Sequence, residues 1–272
     1  MPNSTSVPFS CNQAFLQVGP WVRRGLQRIV RIFLPFGSTR RVLFGPARGC
    51  RYIVQPSMGL SYLLGRVDTA RFLARHIRPS QVVYDVGANR GHCMLPFARF
   101  VGPRGRVVCF EPVKEIASVL ERNRVLNGFD NVEIRMSALA RQTGTTTFAF
   151  SPKADTCGKL DSVEKTYCVD AAEIRTVDTE ALDELVADDE IPPPEVIKID
   201  VEGGAKEVLE GAISVLRTHS PDIYIELHGP EEQEAVQKIL GGLAYVFERT
   251  DGTRVNDVVS KWESPLWCHR MK

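Results

Sequence analysis

The stretch DVGANRG, residues 85–91, follows the apolar run at residues 82–84 and leads into a segment that can form a helix. A short unbroken apolar run is typical of a buried parallel strand. A glycine turn at its end lets a ligand approach backbone N–H groups at a helix N-terminus. Gly87 and Gly91 supply that turn. This stretch therefore predicts the first strand, turn and helix of a nucleotide-binding α/β unit.

An acidic residue follows at the spacing that nucleotide binding requires. Residues 107–110, VVCF, form a second strand-like run that ends in Glu111, 20 residues after Gly91. An acid at this distance is expected to reach ribose hydroxyls. Asn89 replaces the middle glycine of the dinucleotide fingerprint, and Asp85 at the strand tip suits a cationic amino-acid moiety without a pyrophosphate. The two motifs predict S-adenosylmethionine (SAM) as the ligand, and the second acid argues against a strand–turn–helix that binds nothing.

Beyond Asp68 the chain alternates helix and strand patterns, which predicts a doubly wound, Rossmann-like sheet of seven mostly parallel strands. We expect strands at residues 81–84, 107–110, 132–136, 196–199, 222–227, 244–248 and 266–269, and helices at 69–77, 91–100, 114–127, 179–186, 205–216 and 231–240. Short β segments at 145–150 and 166–177 predict an insertion.

The length of 272 residues and the apolar content of 43% fit one catalytic domain, residues 68–272, behind a basic N-terminal extension at residues 1–67. The seven cysteines are scattered without a CxxC pair, so they predict neither a zinc site nor a disulfide framework. A reducing cytoplasm is the simplest compartment. No transmembrane segment is predicted.

Charge is distributed unevenly. Residues 1–67 hold nine arginines and no acid, although the net charge of the whole chain is only +1. Residues 21–34 have the spacing of a basic amphipathic helix. This helix either contacts an anionic membrane surface or a phosphorylated glycolipid, or packs on the core with solvated arginines. Nucleic acid is not the expected partner, because the segment lacks interleaved aromatic residues and the remainder of the chain is net acidic.

Polar residues cluster where the fourth and fifth predicted strands end, VIKIDVEGG and YIELHGP. By the period-two rule Lys198 shares a strand face with Asp200, and Glu226 shares one with His228. Carboxyl ends of strands line the ligand crevice of open α/β sheets. We therefore expect these side chains, together with Glu202, to face one space.

Each of these side chains has a structural and a functional interpretation. A lysine inside an apolar strand is expected to be neutralised by a nearby carboxylate. Asp200 at the strand tip is expected to be functional, whereas Glu202 either binds substrate or accepts loop N–H bonds. His228 is the best candidate for a base because its ordinary pKa lies near neutrality. Glu226 is expected to orient His228 or to act in its place.

DVGANRG, CFEP at residues 109–112, KIDVEGGAKEVLEGA at 198–212 and the IELH segment together resemble the FkbM-type SAM-dependent methyltransferases, over about residues 57–228. The resemblance implies an O-methyltransferase acting on hydroxyls of sugars, glycolipids or polyketide-type natural products. It therefore implies a carbohydrate or other small-molecule acceptor. One departure is Ala205, where many relatives carry an acid.

Carried over by position, the resemblance implies a role for each motif residue. The methionine part of SAM would be held by Asp85, Gly87, Asn89 and Gly91, the ribose by Glu111, and the adenine would lie near Ser137 and Ala138. The acceptor would be faced by Asp200, Glu202, Glu226 and His228. His228 or Asp200 would then remove the acceptor's hydroxyl proton.

Three alternatives stay open from the sequence. The same carboxylates would suit Mg²⁺, which is less favoured than metal-free transfer. A noncatalytic SAM-binding scaffold is a second alternative, against which Asp85, Glu111 and Asp200 argue. A methyltransferase acting on nucleic acid or protein is the third.

Overall fold

The computed structural model describes residues 34–55, 62–65, 67–150, 158–160, 173–259 and 264–271. In chain order these residues form β1 (Thr39–Arg41), β2 (Arg51–Ile53), α1 (Asp68–Leu73), β3 (Val82–Val86), α2 (Met94–Val101), β4 (Arg106–Phe110), α3 (Lys114–Asn127), β5 (Val132–Arg135), β6 (Ala138–Leu139), β7 (Gly144–Phe150), β8 (Gly158–Leu160), β9 (Glu173–Glu180), α4 (Leu182–Ala187), β10 (Val196–Ile199), α5 (Ala205–Glu210), α6 (Ile213–Thr218), β11 (Asp222–Ile225), α7 (Pro230–Gly242), β12 (Tyr245–Arg249), β13 (Arg254–Val255) and β14 (Leu266–Arg270).

The main sheet has the strand order β13-β12-β14-β11-β10-β3-β4-β5. Strands β5, β4, β3, β10 and β11 run parallel, and β14 is antiparallel to both of its neighbours. The predicted doubly wound, mostly parallel sheet is confirmed. It has eight strands rather than seven, because the two-residue strand β13 pairs with the edge strand β12.

The chain changes direction across the sheet between β3 and β10. From β3 it proceeds outward to β4 and β5, whereas β10 is followed by β11 on the other side. Asp85 pairs in register with Lys198, and Val86 with Ile199. A crevice outside the carboxyl ends of the strands is expected at such a switch point, and this is where the polar motifs meet.

The central strands are buried on both faces. Successive side chains point to opposite faces, so Tyr84 and Val86 belong to one apolar cluster while Val83 belongs to the other. Val107 and Val108 of β4 divide in the same way. Because helices cover both faces, these strands read as unbroken apolar runs in the sequence.

The insertion forms a separate four-stranded sheet with the order β6-β9-β7-β8. The prediction of a helix starting at residue 179 was wrong. Thr179 pairs with both Gly144 and Ala138, so β9 continues to Glu180 and the helix starts at Leu182.

The helix predicted at residues 205–216 is two helices, α5 and α6. They separate at Gly211, where a Cβ atom would lie 2.0 Å from the carbonyl oxygen of Ala140. The close approach of this neighbouring chain segment explains both the glycine and the break.

A β1–β2 hairpin near the N-terminus was not predicted. It packs on α3, where Asn123 Oδ1 accepts the Ile53 N–H at 3.0 Å and Asn127 Oδ1 accepts the Arg51 N–H at 2.7 Å. Val42 and Tyr52 of the hairpin region are buried in the core. The described part of the predicted N-terminal extension is therefore packed on the main sheet and its helices. The basic helix predicted at residues 21–34 falls almost wholly outside the described residues, in which no helix is long and apolar enough to cross a membrane.

Candidate active site

The glycine turn after β3 is folded onto the tips of its neighbouring strands. Gly87 has a φ of +73°, and a Cβ atom there would lie 2.1 Å from the carbonyl oxygen of Asp200. The N–H groups of Gly87 and Ala88 both donate to the carbonyl oxygen of Phe110, at 3.1 and 3.0 Å. These two N–H groups therefore bind the turn to β4.

Glu111 lies at the tip of β4 and is buried. Its Oε2 accepts the Asn89 N–H at 3.0 Å and its Oε1 accepts the Val113 N–H at 3.0 Å. Burial raises the pKa of Glu111 to about 7, and the two backbone N–H groups partly oppose this. Each carboxylate oxygen retains a lone pair for a further donor such as a ribose hydroxyl.

Asp85 is fully buried at the end of β3, 3.1 Å from the ammonium of Lys198. Its Oδ2 atom has no hydrogen-bond partner among the described residues. Burial raises the pKa of Asp85, while Lys198 acts in the opposite direction. An unsatisfied buried carboxylate oxygen beside the turn fits a site that receives a cationic ligand group.

Lys198 is paired as the sequence predicts, and it makes further contacts. Its Nζ lies 3.5 Å from Asp200 Oδ2 and donates to the carbonyl oxygens of Gly87, at 2.9 Å, and Val86, at 3.2 Å. Burial lowers the pKa of Lys198, but Asp85 and Asp200 more than reverse this effect. Lys198 is therefore a buried cation on β10 that contacts the end of the neighbouring strand β3.

His228 lies between two carboxylates. Its Nε2 is 3.3 Å from Asp200 Oδ1, and its Nδ1 is 3.3 Å from Glu202 Oε2. The hydrogen bond to Asp200 raises the pKa of His228 to about 9, with Glu202 adding to the effect and burial opposing it. Burial raises the pKa of Asp200, but Lys198 and His228 outweigh this and lower it to about 2.

Glu226 is engaged elsewhere. Its Oε1 accepts the hydroxyls of Thr69, at 3.0 Å, and Tyr224, at 3.1 Å. The expectation that Glu226 orients His228 is thus corrected, because Asp200 and Glu202 take that position. Strand β11 ends at Ile225, so the period-two rule does not extend to residues 226–228.

Glu232 was missed by the sequence analysis. It is buried in the first turn of α7, where its Oε1 accepts the Ala205 N–H at 2.9 Å and its Oε2 accepts the His228 N–H. It therefore fixes the backbone of His228 against the start of α5. The available signal was an acidic first turn directly after the GP pair at residues 229–230.

The remaining predicted cofactor residues lie at the same edge of the sheet. Ser137 is buried between β5 and β6, and its hydroxyl donates to Glu180, which Arg135 also binds. Ala138 begins β6 and is buried as well. The Ser137 hydroxyl is therefore already engaged by Glu180.

His92 is packed against aromatic rings. Its Nε2 is 2.7 Å from the Tyr52 hydroxyl, and its ring centroid lies 5.1 Å from that of Tyr62. Burial lowers the pKa of His92 to about 3, with Arg90 and Lys198 adding to the effect. The two histidines near the turn thus differ in charge at neutral pH, with His92 neutral and His228 protonated.

Metal ligation is not evident in the described part of the chain, where no group of three or more His, Cys, Asp or Glu side chains is arranged to hold a metal ion. The residues around the turn do fit SAM. Asp85 offers a buried unsatisfied oxygen, and Glu111 at the tip of β4 retains acceptor capacity.

The strand order, the reversed strand β14, the glycine turn after β3 and the acid ending β4 define a class I SAM-dependent methyltransferase. Within that class, the chain belongs to the FkbM methyltransferase family, whose domain model matches residues 85–253. The family predicted from the sequence motifs is confirmed.

One curated relative is the hexuronic acid methyltransferase AglP of Haloferax volcanii. It is 29% identical over 197 residues, which cover 72% of this chain and 77% of the relative. Among solved structures, the FkbM methyltransferase of Methylobacillus flagellatus is 13% identical with a TM-score of 0.43, covering 92% of this chain and 60% of that one. A SAM-dependent O-methyltransferase of Thermotoga maritima is 14% identical with a TM-score of 0.45, covering 75% and 65%.

Proposed function

We propose that this enzyme transfers the methyl group of SAM to an oxygen of a carbohydrate acceptor, either a free sugar or a glycolipid. The observation that carries the proposal is the group formed by Asp200, His228 and Glu202, which lies beside the cofactor turn at the switch point of the sheet. The name of the curated relative, a hexuronic acid methyltransferase, supports a sugar acceptor.

For the cofactor, we assign the methionine end to the turn of residues 85–91 and the ribose to Glu111. Asp85 Oδ2 is a buried acceptor for the amino group, and Glu111 accepts the ribose hydroxyls. Gly87, Asn89 and Gly91 give the turn its shape through positive φ values of 73°, 49° and 88°. Ser137 and Ala138 border the adenine. When bound, SAM supplies an electrophilic methyl group on its sulfonium.

For the acceptor, we assign proton removal to Asp200. Both ring nitrogens of His228 face carboxylates, so neither is available to a hydroxyl unless an existing contact breaks. The Asp200 side chain is 37% exposed, against 24% for His228. His228 then acts as a cation that orients Asp200, and Glu202, on the other side of the ring, is placed to accept a second hydroxyl of the acceptor.

Asp200 is a weak base against an alcohol. The proton is therefore expected to move only as the new carbon–oxygen bond forms and the hydroxyl becomes acidic. Most of the rate enhancement comes from holding the acceptor oxygen in line with the methyl group. The buried contacts of Lys198 and Glu232 keep the two strand tips rigid for this purpose.

The test is a turnover assay with labelled SAM and a panel of sugars, uronic acids and glycolipids, run with and without EDTA. Methylation of a carbohydrate oxygen that persists in EDTA is expected. SAM binding in calorimetry without turnover on any acceptor would instead favour a noncatalytic scaffold. Activity lost in EDTA and restored by Mg²⁺ would move the carboxylates into a metal site.

We further propose that the basic N-terminal region brings the enzyme to an anionic membrane surface. Three large apolar side chains, Phe36, Leu43 and Phe44, are exposed on the described part of this region. The exposed arginines of the same hairpin region are Arg40, Arg41, Arg48 and Arg51. Exposed apolar side chains among cations are typical of surfaces that bind anionic lipid.

A further inference from the structure

Lys198 contacts both halves of the candidate active site. On the cofactor side, its ammonium donates to the carbonyl oxygens of Val86 and Gly87 and pairs with Asp85. On the acceptor side it lies 3.5 Å from Asp200 Oδ2. The side chain is only 4% exposed, so water contributes little to this arrangement.

We infer that Lys198 is a positioning residue that fixes the cofactor turn and the carboxylate of Asp200 in one geometry, and is not only a counter-ion for Asp85. The inference rests on the proposed function for the role given to Asp200. Its part concerning the cofactor turn depends only on SAM binding.

Neutralising Asp85 would need a single contact. An ammonium has three N–H donors, and Lys198 directs two hydrogen bonds to the first carbonyls of the turn. Those carbonyls belong to the segment in which Gly87 adopts positive φ and approaches the Asp200 backbone. The same ammonium therefore binds the backbone of the turn and also lies beside the Asp200 side chain.

The charges continue in alternation away from Lys198. Asp85, Lys198, Asp200, His228 and Glu202 form a series in which each neighbouring pair is separated by 3.1 to 3.5 Å. Among the described residues, removal of the lysine would leave His228 as the remaining cation beside the Asp200 carboxylate. This carboxylate would then rotate more freely about the strand tip, which affects the acceptor side without a change in the acceptor pocket itself.

The test compares Asp85→Asn with the double variant Lys198→Met/Asp85→Asn. The single Lys198→Met variant leaves the buried carboxylate of Asp85 without its counter-ion and is expected to fold poorly. The double variant removes both members of the ion pair. Relative to Asp85→Asn, we expect the double variant to bind SAM about tenfold more weakly in calorimetry and to lose about tenfold in kcat. Thermal unfolding of both variants monitors the fold.

Lys198→Arg keeps the charge and hence the neutralisation of Asp85, so it tests the geometry if the double variant does not fold. A guanidinium cannot reproduce the compact ammonium contacts, and weaker SAM binding with a lower kcat is again expected. SAM affinity and kcat within twofold of the respective references, in a folded variant, would reduce Lys198 to a counter-ion. If no carbohydrate is methylated by the wild type, the proposed function fails, while SAM affinity still decides the cofactor half of the inference.

Discussion

The Nε2 atom of His228 lies 3.3 Å from Oδ1 of Asp200, and the opposite ring nitrogen also faces a carboxylate. An imidazole with a carboxylate at each nitrogen is held in its doubly protonated form, because both nitrogens then donate. The histidine that the sequence presents as the best base is, in this arrangement, a cation beside Asp200, the side chain that we propose as the base.

The first prediction concerns the pH dependence of kcat/KM. The pKa of His228 is raised to about 9, and that of Asp200 is lowered to about 2. With Asp200 as base and His228 as the cation that orients it, kcat/KM should be level around neutrality and fall, by about tenfold at most, as pH rises through about 9. Initial rates in a constant-ionic-strength buffer series would show this. An increase toward pH 9 followed by a plateau would return the role of base to His228.

The second prediction separates Asp200 from its neighbours. Asp200→Asn keeps the shape but removes the proton acceptor, so kcat should fall about 100-fold or more while the SAM dissociation constant changes less than threefold. His228→Gln should cost less, about tenfold, because it removes orientation and not the base. Glu184→Gln, at an exposed acid on α4, is the matched control and should behave as wild type. Equal turnover by Asp200→Asn and wild type contradicts the assignment.

The sequence predicted elements whose pattern arises from local burial. Strand β10 and helix α3 occupy the predicted residues, because an apolar run covered on both faces and an unbroken helical stretch are visible without tertiary context. Strand β1 was missed since all three of its residues are exposed and show no alternation. Its stability comes from pairing with β2, which itself packs on α3.

The sequence predicted which side chains of the candidate site lie together, but it did not predict which of them form hydrogen bonds and ion pairs with one another. The strand tips brought Asp200, Glu202 and His228 together because carboxyl ends of parallel strands share one edge. Glu226 and Glu232 each have a hydrogen-bond partner far away in the chain, Thr69 for Glu226 and Ala205 for Glu232. No spacing rule connects such positions.

The third prediction concerns Glu111 and the cofactor. Since burial raises the pKa of Glu111 to about 7, the carboxyl becomes protonated just below neutrality and then accepts ribose hydroxyls less well. SAM affinity should therefore weaken as pH falls below about 7, approaching tenfold per pH unit. Calorimetry from about pH 5 to about pH 8, a range that brackets the pKa of Glu111, measures this change in affinity. Glu111→Gln should bind SAM weakly at every pH, and a variant that keeps the wild-type pH dependence would show that another group titrates.

The last prediction concerns membrane contact. Leu43 and Phe44 are 55% and 59% exposed, and the loop that carries them is ordered by hydrogen bonds from Val42 N–H to Cys50 O and from Gly49 N–H to Val42 O. Because Val42 and Tyr52 belong to the core, deleting the region would damage the fold, so the test uses substitutions. The full chain should float with vesicles that contain phosphatidylglycerol and not with phosphatidylcholine alone.

Leu43→Ser/Phe44→Ser should lower that flotation about tenfold, since roughly 1.5 to 3 kcal/mol is lost for each large apolar side chain withheld from the lipid and partial burial yields less. Ile174→Ser is the matched control, because Ile174 is 73% exposed and lies on β9, outside the basic N-terminal region. Equal flotation of the double variant and wild type removes this loop from the contact. If the wild type binds no vesicles and the double variant changes the oligomeric state, these side chains instead form a contact with a second copy of the chain.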